Sequence, residues 1–188
     1  MHGGTSLLMP LIEAAAAPAP DAPAVLAPGR EALTYRDVVE QLAATGQRLR
    51  ALGFGAGERV AIGMPDSPEL ALTMTAAIGY AAAVPLSPRA AEEEIERNLC
   101  HAGARAVIVA AGVDNAARRA ARRAGLPTIE LVADERGRFR LEGSPVTSSD
   151  HRTDAALVVH TSGTTGNPKI VPLTQRNLLS MPTAACSN

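Results

Sequence analysis

The run HTSGTTGNPKIVPLTQRNL, from His160 to Leu178, brings together the hydroxyls of Thr161, Ser162, Thr164 and Thr165, the glycines Gly163 and Gly166, and Lys169, the only lysine in the chain. Hydroxyls rotate to donate hydrogen bonds, glycines let a backbone turn tightly and present its N–H groups, and an ammonium adds a compact positive charge. Such a surface suits phosphate oxygens. The Walker A pattern is not met, because Pro168 precedes the lysine and Ile170 follows it. The segment KIVPL reads as extended and Thr174 as the cap of the next helix, QRNLL. Phosphate contacts must therefore come from loop atoms and side chains, not from a helix N-terminus. A polar turn between two strands accounts for each residue singly; the clustering of donors beside one lysine favours a binding loop.

Other stretches carry weaker chemistry. GFGAGERVAI, Gly53 to Ile62, follows a predicted helix and opens a strand, the reverse of a dinucleotide fingerprint, and reads as a helix stop and turn. Arg118, Arg119, Arg122 and Arg123 fall on one side of a helix whose alanines can face a sheet, so a solvated face is expected over an anion site. His2, His101, His151 and His160 lack the spacing of a helical metal pair, and no metal ligand is assigned. Ser162 lies in T-S-G-T, not in G-x-S-x-G, has no evident triad partner, and fits a donor better than a nucleophile. Cys100 and Cys186 match no metal or redox spacing; reduced thiols in a cytoplasmic protein are expected, with a disulfide as the alternative.

The elements that must position the loop alternate along the chain. Thr34 caps a predicted helix to about Leu52, stopped by Gly53, and RVAIGM, Arg59 to Met64, reads as a buried strand. Ser67 as N-cap and Pro68 at the first helical position open a second helix. A brief strand near Val84, a helix over AAEEEIERNLCHAG, a strand ending at Ala110, a helix to Ala124 and a strand to Val132 follow, and ERGRFRLEG is a small hairpin or loop. After the polar connector Gly143 to Asp154, the apolar strand AALVVHT leads straight into the hydroxyl-rich run. Strands separated by helices predict an α/β fold with a three-layer, mostly parallel sheet flanked by helices. Residues 1–33 read as an N-terminal helix and a Pro/Ala linker, and residues 34–188 as one α/β subdomain ending in the loop.

Composition bounds the function. At 188 residues and 46% hydrophobic, the chain can bury a sizeable core. A net charge of −1 and 2% aromatic content leave neither an electrostatic footprint nor a stacking surface for nucleic acid. No apolar run reaches the roughly 18 to 20 residues of a membrane span, so a soluble protein is expected.

The run TSGTTGNPKIVPLTQRNL resembles the phosphate loop of the AMP-forming, adenylate-forming enzymes: acyl- and aryl-CoA synthetases, nonribosomal peptide synthetase adenylation domains and luciferases. ALTYRDVVEQLAATGQRLRALGFGAGERVAIGMPDSPEL and AAAVPLSPRAAEEEIERNLCHAGARAVIVA agree with that family in order, and the resemblance extends from about Leu7 onward. Within it, His160 and VPLTQRNL are similar to small-acid CoA ligases of the oxalyl-CoA synthetase type. The resemblance implies the first part of the family's N-terminal domain and a two-step reaction. A carboxylic acid and ATP give acyl-AMP and pyrophosphate, and coenzyme A then takes the acyl group. It implies that Thr161, Ser162, Gly163, Thr164, Thr165, Gly166 and Lys169 bind the ATP β- and γ-phosphates, with Mg2+ as companion ion. Ile170 stands where glycine is common and Gln175 where histidine is common. The family's acyl pocket, magnesium ligand and catalytic lysine lie downstream, so no catalytic residue is assigned and the chain is expected to be the N-terminal part of a longer enzyme. The alternative is a phosphate-binding or interaction module that adenylates nothing. A partial sheet would leave apolar surface uncovered, which makes a homo-oligomer one expectation.

Overall fold

The computed structural model describes residues 6–147, 153–161 and 169–180. Helix α1 (Leu8–Ala16) precedes a two-stranded antiparallel pair, β1 (Pro23–Val25) and β2 (Leu33–Thr34), within the stretch expected as helix and linker. Helix α2 (Tyr35–Ala51) starts where the sequence places its cap. Thr34 Oγ1 accepts from the Asp37 N–H at 3.1 Å, and Asp37 Oδ2 accepts from the Thr34 N–H at 2.9 Å, a capping box that satisfies two orphan donors. The helix ends at Gly53, whose φ of 91° only glycine adopts without strain.

The rest alternates as the periodicity predicts: β3 (Arg59–Ile62), α3 (Pro68–Tyr80), β4 (Ala82–Pro85), α4 (Glu92–Ala102), β5 (Val107–Ala110), α5 (Ala116–Arg123), β6 (Thr128–Ala133) and β7 (Phe139–Glu142). Then come β8 (Leu157–Thr161), β9 (Lys169–Leu173) and α6 (Gln175–Leu179). Ser67 caps α3 by accepting from the Leu70 N–H at 3.1 Å, with Pro68 at the first helical position.

Seven strands form one sheet in the order β7-β6-β5-β3-β4-β8-β9. All pairings are parallel except β6 with β7 and β8 with β9, so ERGRFRLEG closes a hairpin onto one edge. Alternate side chains leave the sheet on opposite faces. Val60, Ile62, Ile108 and Ile129 pack with Leu42 and Leu49 of α2 and Leu72 of α3. Ala61, Val84, Val107, Val109 and Val158 pack with Ile95 and Leu99 of α4 and Ala117 and Ala121 of α5. Three layers result, with helices on both faces, as expected of parallel strands buried on both sides.

Among the described residues one ion pair has both side chains within the core. Glu58, 1% exposed, meets Arg105 at 2.9 Å, and the Arg105 guanidinium also donates to the Gly53 carbonyl and lies over the Phe54 ring. The pair ties the turn before β3 to the turn before β5.

Candidate functional site

The site begins with two neighbouring strands of opposite direction. β8 runs parallel to β4, with Ala83 paired to Leu157, and Val158 is fully buried between the helical layers. Its apolar residues carry it through the sheet, and its last residue, Thr161, emerges exposed. β9 returns antiparallel along β8 in the register Thr161↔Lys169, His160↔Ile170, Val159↔Val171, Val158↔Pro172 and Leu157↔Leu173. Thr161 Oγ1 donates to the Lys169 carbonyl at 3.4 Å, and both residues are exposed.

The structure thus brings together the first and last members of the predicted phosphate set. Ser162, Gly163, Thr164, Thr165 and Gly166 lie outside the described residues, as does Cys186; Cys100 is free and exposed. The extended reading of KIVPL and the Thr174 cap both hold. Thr174 Oγ1 accepts from the Asn177 N–H at 3.1 Å and opens α6.

His160, one residue before the loop, is half-buried against α4, and its Nε2 has no hydrogen-bond partner among the described residues. Burial, reinforced by nearby His101 and opposed by the Asn98 backbone carbonyl, holds the imidazole below its ordinary range, so it is neutral near pH 7.

Three of the four α5 arginines are held in ion pairs. Arg118 pairs with Glu130, Arg119 with Glu92 and Asp114, and Arg123 with Glu92, Glu93 and Glu96. Ala117, Ala120 and Ala121 are buried beneath them, as the sequence pattern predicts. A cavity of about 120 Å³ opens beyond the ends of β3 and β4, beside the start of α5, lined by Gly63, Met64, Ser87 and Asn115. It is smaller than the several hundred Å³ of a typical small-molecule site. Among the described residues no group of three or more His, Cys, Asp or Glu could hold a metal ion, and no helix is long and apolar enough to cross a membrane.

Sequence reasoning gave Gln175 no role beyond its departure from a common histidine. In the fold its side-chain oxygen accepts from the Leu7 and Leu8 N–H groups at 2.6 and 3.1 Å and from Ser6 Oγ at 3.4 Å. Its side-chain nitrogen donates to the Ile78 and Gly79 carbonyls at 3.0 and 3.3 Å. All these partners are remote in sequence, so no local pattern could have announced the contacts.

The pattern of a family described as AMP-binding enzyme matches residues 12–187. A sulfoacetate–CoA ligase from Cupriavidus necator is 32% identical over 181 residues, covering 92% of this chain and 36% of that protein. An oxalate–CoA ligase from Arabidopsis thaliana is 31% identical over 186 residues, covering 90% of this chain and 35% of that protein. Among solved structures, the N-terminal subdomain of NpsA from Klebsiella oxytoca has a TM-score of 0.65 at 27% identity, covering 96% of this chain and 45% of that one. The chain spans about a third of the length of these curated relatives.

Proposed function

Since this chain belongs to the AMP-binding enzyme family, we propose that it forms the N-terminal part of an ATP-dependent, AMP-forming acyl-CoA synthetase whose 161–169 loop holds the β- and γ-phosphates of ATP. The observation that carries this reading is the closure of Thr161 against Lys169 at the exposed end of a buried strand. That closure puts the chain's one lysine beside the first hydroxyl of the donor-rich segment.

In the proposed reaction a carboxylate oxygen bonds to the α-phosphorus of ATP, and the bond from that phosphorus to the bridging oxygen breaks. Pyrophosphate leaves with the electron pair. The thiol sulfur of coenzyme A then attacks the acyl carbon, loses its proton to solvent or a base, and displaces AMP. The charge to be stabilised in the first step accumulates on pyrophosphate. Lys169, Thr161, Ser162, Thr164, Thr165 and the amides about Gly163 and Gly166 face that charge in this reading. The described residues supply no carboxylate cluster for Mg2+, so no step is assigned through the ion, which would travel with the nucleotide phosphates.

Small acids such as oxalate or sulfoacetate are the substrate class we favour, from the relatives named above, and the cytoplasm is the expected compartment for enzyme, ATP and coenzyme A. Self-association is the expected state of the isolated chain, because Leu26, Val171 and Leu179 are exposed; sedimentation reads it.

Carboxylate-dependent exchange of labelled pyrophosphate into ATP by the complete protein tests the reading. Exchange with at least one acid in a panel of oxalate, sulfoacetate, aryl acids and fatty acids is expected. Silence across the panel would leave the phosphate-binding or interaction module, which no observation favours at present.

A further inference from the structure

We infer that Gln175 is a positioning residue for the phosphate loop, fixing the register of β9 and hence the place of Lys169, a role that rests on the phosphate reading of the 161–169 loop. β9 is paired on one side only among the described residues, and its burial pattern, exposed at Lys169, Val171 and Pro172 and half-buried at Ile170 and Leu173, does not alternate cleanly. Such a strand specifies its register weakly, and a slip of one residue turns every side chain to the other face. The helix that follows gives little help, because α6 buries no residue.

Beside the packing of Ile170 on the core, the tie that holds this end of β9 is the Gln175 amide at the first position of α6. Its oxygen takes the unpaired N–H groups at the start of α1, a helix with no side-chain cap at Leu7. Its nitrogen supplies the last-turn carbonyls of α3 at Ile78 and Gly79, which have no partner within the helix. One side chain thus joins two helix ends of opposite polarity to the residue six places after Lys169. The amide suits this because it offers a donor and an acceptor on separate atoms. A neutral imidazole offers the same pair, whereas an imidazolium offers two donors and would direct one at the α1 N–H groups.

Gln175→Leu and Gln175→His in the complete protein test the role by pyrophosphate exchange. For Gln175→Leu, kcat/KM for ATP falls about tenfold while KM for the carboxylate stays near wild type, because only the phosphate contacts are displaced. Gln175→His restores kcat/KM for ATP to within about twofold at about pH 8 and loses it again at about pH 6, relative to wild type at the same pH. An unchanged Gln175→Leu enzyme, an equal loss on ATP and carboxylate, or a histidine variant impaired at both pH values overturns the role. Should Gln175→Leu fail to fold, the histidine variant at the two pH values carries the test alone. A wild-type protein without exchange defeats the adenylating reading on which this role rests, and the role with it; an active wild type with an indifferent Gln175→Leu defeats only the role.

Discussion

Lys169 and His160 flank the loop and answer to different physics. Lys169 is exposed at the strand end, so its removal takes no packing from the core, and in the proposed reading its charge matters where pyrophosphate charge develops. Lys169→Ala in the complete enzyme is expected to slow adenylation by about 10²-fold or more and to change unfolding free energy by no more than about 0.5 kcal/mol. Exchange kinetics beside a urea titration separate the two effects. His160 is a stability group in the same register position as Ile170. Its folded-state pKa lies below the ordinary 6.5, so the unfolded chain takes up the proton first. The stabilisation from a neutral His160 is complete above about pH 6.5 and is lost as pH falls through the folded-state value. The urea midpoint of the wild type should drop between about pH 7.5 and 5.5, and that of His160→Gln should drop less. Asp37, Glu69 and Glu130 are held below ordinary values of 3.8, 4.5 and 4.5, so their titration lies under this window.

Among the elements, the layer that backs the sheet depends on one close helix crossing. A Cβ added at Gly46 of α2 would overlap the Tyr80 ring of α3, and Arg50 on the next turn lies over that ring at 4.9 Å. Gly46→Ala is expected to cost about 1 to 3 kcal/mol through overpacking, although alanine has the higher helix propensity. A lower melting temperature is the outcome that checks it; an unchanged or raised one would mean that the ring moves freely aside. The cap at Thr34 was readable from sequence because hydroxyl, acidic residue and apolar spacing are local. The Gly46 contact was not, since nothing in ATGQ distinguishes a glycine under a tyrosine from a solvent-facing one. β9 is the element where both conditions meet: KIVPL declares itself extended, while its partner and register depend on β8 and on Gln175.

Across the whole molecule, the buried Glu58–Arg105 pair joins the turns that enter the neighbouring strands β3 and β5, which are remote in sequence. Arg105→Leu would take the guanidinium from the buried Glu58 carboxylate, which keeps the Gly55 N–H at 2.9 Å, and is expected to destabilise by about 3 kcal/mol, read from denaturant midpoints. Replacing both residues with apolar ones of similar size should recover much of that loss. The alternation of helix and strand, the caps at Thr34, Ser67 and Thr174, and the donor-rich loop with its single lysine were determined by the sequence alone, because each rests on neighbours within a few residues. So was the family, since the motif is contiguous. The tertiary structure decided the sheet order, the pairing of Arg119 and Arg123 with α4 carboxylates, the half-burial of His160 against α4 and the contacts of Gln175. Those depend on which distant backbone groups lack partners once the helices pack, and chain-local pattern carries no record of that.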